Sequence, residues 1–347
     1  MDIIHFFKDS IDKKASDLHL ITGNLPAMRI DGELIKFGKE KIKNSDLEKE
    51  IKKIINHEAW EKFQEERDLD FSHEFFGSRF RINLHYQESA IGIAARLIPK
   101  NIPSPEVIGI NEIIYQLTHL QDGLLLVTGP TGSGKSTTLA GMINIINKER
   151  QSHIITIEDP IEYLFKEKKS IIEQREIGTD TKSFAKALKY ALRQDPNVIM
   201  VGEMRDLETI SAAVTAAETG HLVMSTLHTS TAAETISRIV DAFPSHQQSQ
   251  ILGQLSSTLR GVIAQQLIPS VSGKLVAARE IMVCNRAIAN LIKGNQIEQI
   301  PTAIQTGGKD GMITMNKSIE QLLYRNIISR DVARNKIRDC GTKAMYY

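Results

Sequence analysis

Gly129-Pro130-Thr131-Gly132-Ser133-Gly134-Lys135-Ser136 fits G-x-x-x-x-G-K-[ST], the pattern of a phosphate-binding loop. The run Leu124-Leu125-Leu126-Val127-Thr128 before it reads as a buried strand, and Thr137-Thr138-Leu139-Ala140-Gly141-Met142-Ile143 after it as the start of a helix. Strand, glycine loop and helix are the context in which the pattern works. The glycines let successive backbone N–H groups turn inward, and the helix N-terminus adds partial positive charge. In such a loop Lys135 reaches the β- and γ-phosphates, while the Ser136 hydroxyl ligates Mg²⁺. Residues Gly129 to Thr137 are therefore expected to hold a nucleoside triphosphate.

Outward from the loop, apolar runs of strand length at 124–128, 153–158, 197–202 and 221–226 alternate with helical patterns such as Ser183–Arg193 and Leu207–Glu218. That alternation predicts an α/β unit with a parallel sheet. After about residue 243 the pattern is mainly helical, with helices expected at Gln247–Gln266, Arg286–Lys293, Met315–Arg325 and Asp331–Asp339. Upstream, Pro99-Lys100-Asn101-Ile102-Pro103-Ser104-Pro105 carries three prolines in seven residues and reads as a linker. Residues 1–98 before it read as a small α+β domain. Asp31-Gly32 predicts a hairpin, residues 45–66 one long amphipathic helix, and 68–71, 79–85 and 91–98 strands. The expected division is 1–98, the linker 99–105, a core 106–270 and a mainly helical region 271–347.

The composition fits a globular chain: 347 residues, 41% hydrophobic, 24% charged and a formal net charge of +1. Nothing in that charge favours nucleic acid as a partner. No apolar run reaches membrane-spanning length, and Met1-Asp2-Ile3-Ile4-His5 lacks a basic leader, so a cytoplasmic protein is expected. Cys284 and Cys340 have no C-x-x-C partner and are read as buried or free thiols.

Asn197-Val198-Ile199-Met200-Val201-Gly202-Glu203 is an apolar strand ending in an acid. In P-loop enzymes a carboxylate there supports Mg²⁺ and the attacking water, which makes Glu203 the candidate general base. Ile155-Thr156-Ile157-Glu158-Asp159-Pro160-Ile161-Glu162 ends a further strand in three acids, which spacing alone does not rank. His221 and His228 bracket another strand; His228, beside Ser225, Thr226 and Thr229, is placed to sense a γ-phosphate.

Together with Gly202-Glu203-Met204-Arg205-Asp206 and Ser225-Thr226-Leu227-His228-Thr229, these boxes resemble the secretion ATPases of the type II secretion and type IV pilus superfamily. Within it the chain is most similar to the pilus retraction ATPases, nearly end to end. The resemblance implies a RecA-like P-loop core behind a PAS-like domain, assembled as a homo-hexamer with nucleotide between subunits. It implies ATP and Mg²⁺ at Lys135 and Ser136, Glu203 as the catalytic glutamate and Glu162 as its helper. His221 and His228 match the family's histidine positions, and Arg81 and Arg96 its arginine-finger region. It further implies an inner-membrane pilus platform protein as partner, placement at the pilus base, and room for a second retraction-type ATPase. Assembly or secretion ATPases of the same superfamily, and a non-hydrolysing nucleotide-gated adaptor, are the alternatives. Assembly ATPases carry a longer N-terminal region and a zinc insertion, neither of which is present here. One element departs from the retraction pattern. In Ala287-Ile288-Ala289-Asn290-Leu291-Ile292-Lys293-Gly294-Asn295-Gln296, alanine and lysine replace two arginines, and an ammonium does not replace a guanidinium fork.

Overall fold

The computed structural model describes residues 3–99 and 101–337 and divides into two compact units. One holds the chain up to Asn101 together with Glu162–Leu164; the other holds Ile102–Ile161 and the chain from Phe165 onward.

In the first unit, α1 (Ile4–Asp12) leads into β1 (Asp17–Ile21), β2 (Ala27–Ile30) and β3 (Glu33–Lys36). Two helices follow, α2 (Asn44–Ile54) and α3 (His57–Glu66), and then β4 (Asp68–Phe75), β5 (Ser78–Gln87) and β6 (Ala90–Leu97). The strands form an antiparallel sheet in the order β3-β2-β1-β6-β5-β4. Asp31 and Gly32, both at positive φ, close the β2–β3 hairpin as expected. The long helix expected over 45–66 is two helices. The Asn56 side chain accepts from the Ala59 N–H at 2.8 Å and starts α3 afresh after Ile55 has turned extended. Leu18, Leu20, Phe80, Ile82 and Leu84 alternate along their strands and bury one face against Phe7, Leu47, Ile51 and Phe63.

The second unit begins with α4 (Pro105–Ile108) and α5 (Glu112–Leu117), then β7 (Gly123–Thr128), α6 (Lys135–Glu149), β8 (His153–Glu158) and β9 (Ile171–Glu176). It continues through α7 (Phe184–Ala191), β10 (Val198–Val201), α8 (Leu207–Glu218), β11 (Leu222–Leu227), α9 (Ala232–Asp241) and α10 (Ser245–Thr258). A hairpin of β12 (Leu259–Pro269) and β13 (Leu275–Val283) precedes α11 (Arg286–Lys293), α12 (Ile300–Thr306), α13 (Met315–Tyr324) and α14 (Arg330–Lys336). The sheet order is β13-β12-β7-β11-β10-β8-β9, with every neighbouring pair parallel except β12–β13. β7, buried along its whole length, sends Leu124 and Leu126 to one face and Leu125 and Val127 to the other. That is the all-apolar strand a sheet covered on both sides requires. One face packs on α7 to α12 and the other on α5 and α6.

The fold class matches the expectation: a parallel-rich α/β core behind an antiparallel-sheet domain, with helices toward the C-terminus. The helix expected over 247–266 stops at Thr258, and Leu259–Pro269 is a strand instead. Its register beside β7 shifts between Leu259 and Gly261. A Cβ at Gly261 would lie 3.1 Å from the Met282 carbonyl, so the chain enters the sheet where glycine allows close approach. The boundary expected at 270 falls between β12 and β13, both in the same sheet. Asp339, in the last expected helix, and Cys340 lie outside the described residues.

Candidate functional site

The phosphate loop joins β7 to α6. Gly129 and Gly134 hold φ of +145° and +83°, conformations a side chain rarely adopts. A Cβ on Gly129 would lie 2.2 Å from the Gln265 carbonyl oxygen and 2.6 Å from Ser133 Oγ. Pro130, Thr131 and Gly132 are exposed at the loop crest, while Ser136 and Thr137 are half-buried on the first turn of α6. Lys135 is buried, and its Nζ donates to the carbonyls of Gly129 (2.9 Å) and Pro130 (3.1 Å). Its ammonium therefore lies over the loop itself, ready to exchange carbonyls for an anion.

The neighbouring strand ends supply the acid. Ser225 Oγ donates to the Val201 carbonyl at 2.8 Å, and Thr226 Oγ1 to the Gly202 carbonyl at 2.6 Å. The Met204 N–H donates to the Thr226 carbonyl at 3.2 Å. These bonds fix the turn that carries Glu203. Ser225 and Thr226 are buried and donate to backbone carbonyls, so in this geometry they position the acid, and Thr226 also lines the cavity beside it. Thr229 is likewise buried, its hydroxyl 2.7 Å from that of Thr235 on α9. His228 is the exposed member of the box: its Nε2 lies 3.5 Å from Glu203 Oε2, while Arg205 Nε lies 2.8 Å from Glu203 Oε1. Glu203, His228 and Arg205 line a cavity of about 550 Å³ together with Thr131 of the phosphate loop and with Glu234 and Arg238 of α9. Glu203 thus stands on the same rim as the loop, with Arg205 and His228 on either side of its carboxylate.

Of the three acids at and beyond the end of β8, Glu158 is the buried one, and it accepts from Thr156 Oγ1 (2.7 Å) and Gln174 Nε2 (3.2 Å). β8 and β10 are adjacent, with Ile157 opposite Val201, so Glu158 and Glu203 extend from neighbouring strand ends. Asp159 and Glu162 are exposed, and Glu162 groups with the first unit. His221 is not brought to the rim. It precedes β11 at the Gly123 end of β7, where its Nδ1 lies 3.0 Å from the Ala216 carbonyl. At about 3.3 Å per residue, the strand separates it from His228 by roughly 20 Å.

In the first unit, Arg81 and Arg96 are exposed and face each other directly across β5 and β6. They belong to a row, Arg29, Asp17, Arg96, Arg81 and Ser72, that crosses β2, β1, β6, β5 and β4. Arg96 Nε lies 2.8 Å from Asp17 Oδ1. Burial pushes the Asp17 carboxyl upward, but hydrogen bonds from Arg96 and Ser16 and the Arg96 charge outweigh it and hold the group below its ordinary value. On α11, Ala289 is half-buried and Lys293 exposed.

Sequence reasoning missed Arg205 and Arg238 on the rim and Gln265 beneath the loop. Arg205 lies two residues after Glu203 in the same acidic box; Arg238 and Gln265 are distant in sequence and carry no local signal. Burial pushes the Cys284 thiol up to about 11, so that thiol is neutral at ordinary pH. No helix among the described residues is long and apolar enough to cross a membrane.

The hydroxyls of Thr128 and Ser133, at the two ends of the loop, are buried without a hydrogen-bond partner. With the close backbone approach at Gly129, they fit a loop whose remaining polar capacity is met by a phosphate. The Ser136 hydroxyl and the Glu203 and Glu158 carboxylates are hard oxygen donors of the kind Mg²⁺ takes. Among the described residues no three His, Cys, Asp or Glu side chains gather as a metal cage. In P-loop sites Mg²⁺ draws most of its ligands from phosphate and water.

Strand, nest, helix and an acid on the adjoining strand define a P-loop nucleotide-binding α/β protein. A family model described as Type II/IV secretion system protein matches residues 109–329, and the chain belongs to that family. It is 44% identical over 339 residues to the type IV pilus retraction ATPase PilT of Pseudomonas aeruginosa, covering 97% of this chain and 98% of that one. A twitching motility protein of Neisseria gonorrhoeae is 42% identical, with 90% of this chain and 84% of that one covered. A crystal structure of the pilus retraction motor PilT with bound ADP superimposes with a TM-score of 0.91 at 46% identity, covering 98% of both chains.

Proposed function

We propose that this chain is an ATP-hydrolysing motor that powers type IV pilus retraction. The observation that carries the reading is the pairing of the phosphate loop with Glu203 on one rim, in a chain alike to a retraction ATPase over nearly its whole length. Lys135 leaves the Gly129 and Pro130 carbonyls for the β- and γ-phosphates, and the loop N–H groups hold the polyphosphate. Ser136 and Glu203 are the residues that would hold a Mg²⁺ ion there, and the ion would supply charge neutralisation for the polyphosphate. Glu203 orients the attacking water, and Arg205 and His228 keep that carboxylate aimed. His228 is exposed enough to follow the γ-phosphate as it leaves.

The motor works as a homo-hexamer in which Arg81 and Arg96 of one protomer complete the next protomer's site. Two guanidiniums directly opposite on an exposed face repel each other, and an anion shared between them relieves the repulsion. The proline-rich stretch 99–105 serves as the hinge through which hydrolysis becomes movement. The domain plan is 1–98, the linker 99–105, and a core that keeps the β12–β13 hairpin whole ahead of the helical C-terminal region, with Glu162 assisting Glu203. The work is delivered to a platform protein of the inner membrane at the pilus base, with room for a second ATPase of the same type.

Steady-state ATP hydrolysis tests the site. Lys135→Ala and Glu203→Gln should each lower kcat by about 100-fold or more, and either variant turning over at the parental rate refutes it. A deletion strain tests direction: surplus pili without twitching fits retraction, whereas loss of pili identifies an assembly motor.

A further inference from the structure

Beneath the phosphate loop lies a buried polar chain that the hydrolytic residues do not use. Arg279, on β13, is 6% exposed, and its partners are all neutral. Its Nε donates to Gln265 Oε1 at 2.8 Å. Its terminal nitrogens donate to the Gly109 carbonyl, to the Ile108 carbonyl at 2.7 Å and to Thr138 Oγ1 at 3.3 Å. Gln265, opposite Arg279 on β12, is 2% exposed. Its Oε1 also accepts from Thr138 Oγ1 at 2.8 Å, and its Nε2 donates to the Ser133 carbonyl at 2.6 Å. Burial lowers the Arg279 pKa to about 10, which leaves it cationic at neutral pH.

A buried guanidinium without a carboxylate is a costly way to fill a core, since an apolar side chain of similar volume avoids the desolvation. What the charge gains here is direction, because its planar fork reaches three separate elements at once. Two of its acceptors are the carbonyls of Ile108, the last residue of α4, and of Gly109, the cap that turns left-handed at φ +73°. The other end of the chain touches the nest. The peptide between Ser133 and Gly134 is planar, so holding the Ser133 carbonyl toward Gln265 holds the Gly134 N–H on the opposite side. That N–H belongs to the loop's set of inward donors. Gln265 is packed so closely there that a Cβ on Gly134 would lie 2.9 Å from its Nε2. Thr138, in the first turns of α6, is tied to the same two residues, so loop and helix are held in one register.

We propose that Gln265 and Arg279 are positioning residues for the nucleotide: they fix the Ser133–Gly134 peptide for phosphate binding and tether it to the turn at residues 108–109. A shift of that turn is then passed to the nest through two side chains. The proposal rests on the reading that this loop binds a nucleoside polyphosphate.

The experiment uses the full chain, with ADP binding, ATP turnover and thermal unfolding measured for each variant. Gln265→Glu keeps the size of the side chain and its acceptor for Arg279 but cannot donate to Ser133. It should weaken ADP binding and raise KM by about tenfold, the effect of one lost hydrogen bond, while kcat and Tm stay near the parent. Arg279→Met should raise KM as well, and Arg279→Lys, which keeps one donor, should recover part of the loss. Gln265→Leu combined with Arg279→Met should cost no more in affinity than the worse single change, since both break one chain. Parental ADP affinity in Gln265→Glu overturns the proposal, as does activity that falls only in step with the folded fraction. Lys135→Ala and the parent run alongside: a parent that binds no ADP refutes nucleotide binding itself, a result distinct from a parent and a Gln265→Glu variant that bind equally.

Discussion

At the scale of single residues, Glu203, the acid proposed to ready water, sits on a turn held by hydroxyls that bind backbone. Thr226 Oγ1 fixes the Gly202 carbonyl one residue before Glu203. Thr226→Val keeps the shape and removes the donor, so the turn relaxes while the phosphate loop is untouched. The expected result is a fall in kcat of about tenfold with KM held, the signature of a displaced group acting in the transition state; parallel losses in both constants would place Thr226 in nucleotide binding instead. Two histidines of the first unit make a separate prediction about pH. Burial lowers His73 against the opposing charge of Glu74, and burial together with Arg29 and Arg96 lowers His19 against Asp17. Below the ordinary value of 6.5 the unfolded chain therefore binds protons that the folded chain does not, and stability rises with pH through that window. Tm should be lower at about pH 5.5 than at about pH 7.5, and the paired change His19→Gln and His73→Gln should narrow the gap.

At the scale of elements, caps and bulges decide where the apolar pattern is cut. Asn56 separates α2 from α3 by accepting the Ala59 N–H. Asn56→Ala should lower stability by about 1 kcal/mol, read from denaturant unfolding, without altering ATP turnover. The cap could have been read from sequence, yet the apolar spacing continues across it from Ile54 to Trp60, and the period hides the break. The same competition hides the start of β12. Helical spacing runs on past Thr258, and only pairing with β7, supplied by a strand more than a hundred residues earlier, turns Leu259–Pro269 extended. β9 escaped for another reason: at the edge of the sheet it shows Glu173 and Ile171 to solvent and lacks the all-apolar run of β7. The phosphate loop and the Glu203 strand were legible because their signals are local, a glycine pattern between two runs and an acid at a strand end. Gln265 and Arg279 were not, since nothing marks a polar side chain as facing a loop that lies over a hundred residues away in the chain.

At the scale of the whole molecule, the proposed ring makes a demand that no single chain meets. Arg81 and Arg96 lie on the exposed face of the first unit's sheet, in a row whose one carboxylate, Asp17, pairs with Arg96 and accepts from Ser16. Like charges directly opposite each other cost stability, and negative charge brought to that face would offset the cost. If that charge is the transferring phosphate of the next protomer, loop and arginine defects must complement between subunits. Lys135→Ala protomers lack the loop cation but can still lend arginines, while Arg81→Ala/Arg96→Ala protomers lack the lent charge but keep an intact loop. Each protein alone should be nearly inactive. Mixed one to one before assembly, about a quarter of interfaces bring an intact loop against intact arginines, and hydrolysis should return toward that fraction of the parental rate. Both proteins still entering rings, as judged by sedimentation, while the mixture stays as inactive as its parts would assign these arginines to their own protomer or to the surface.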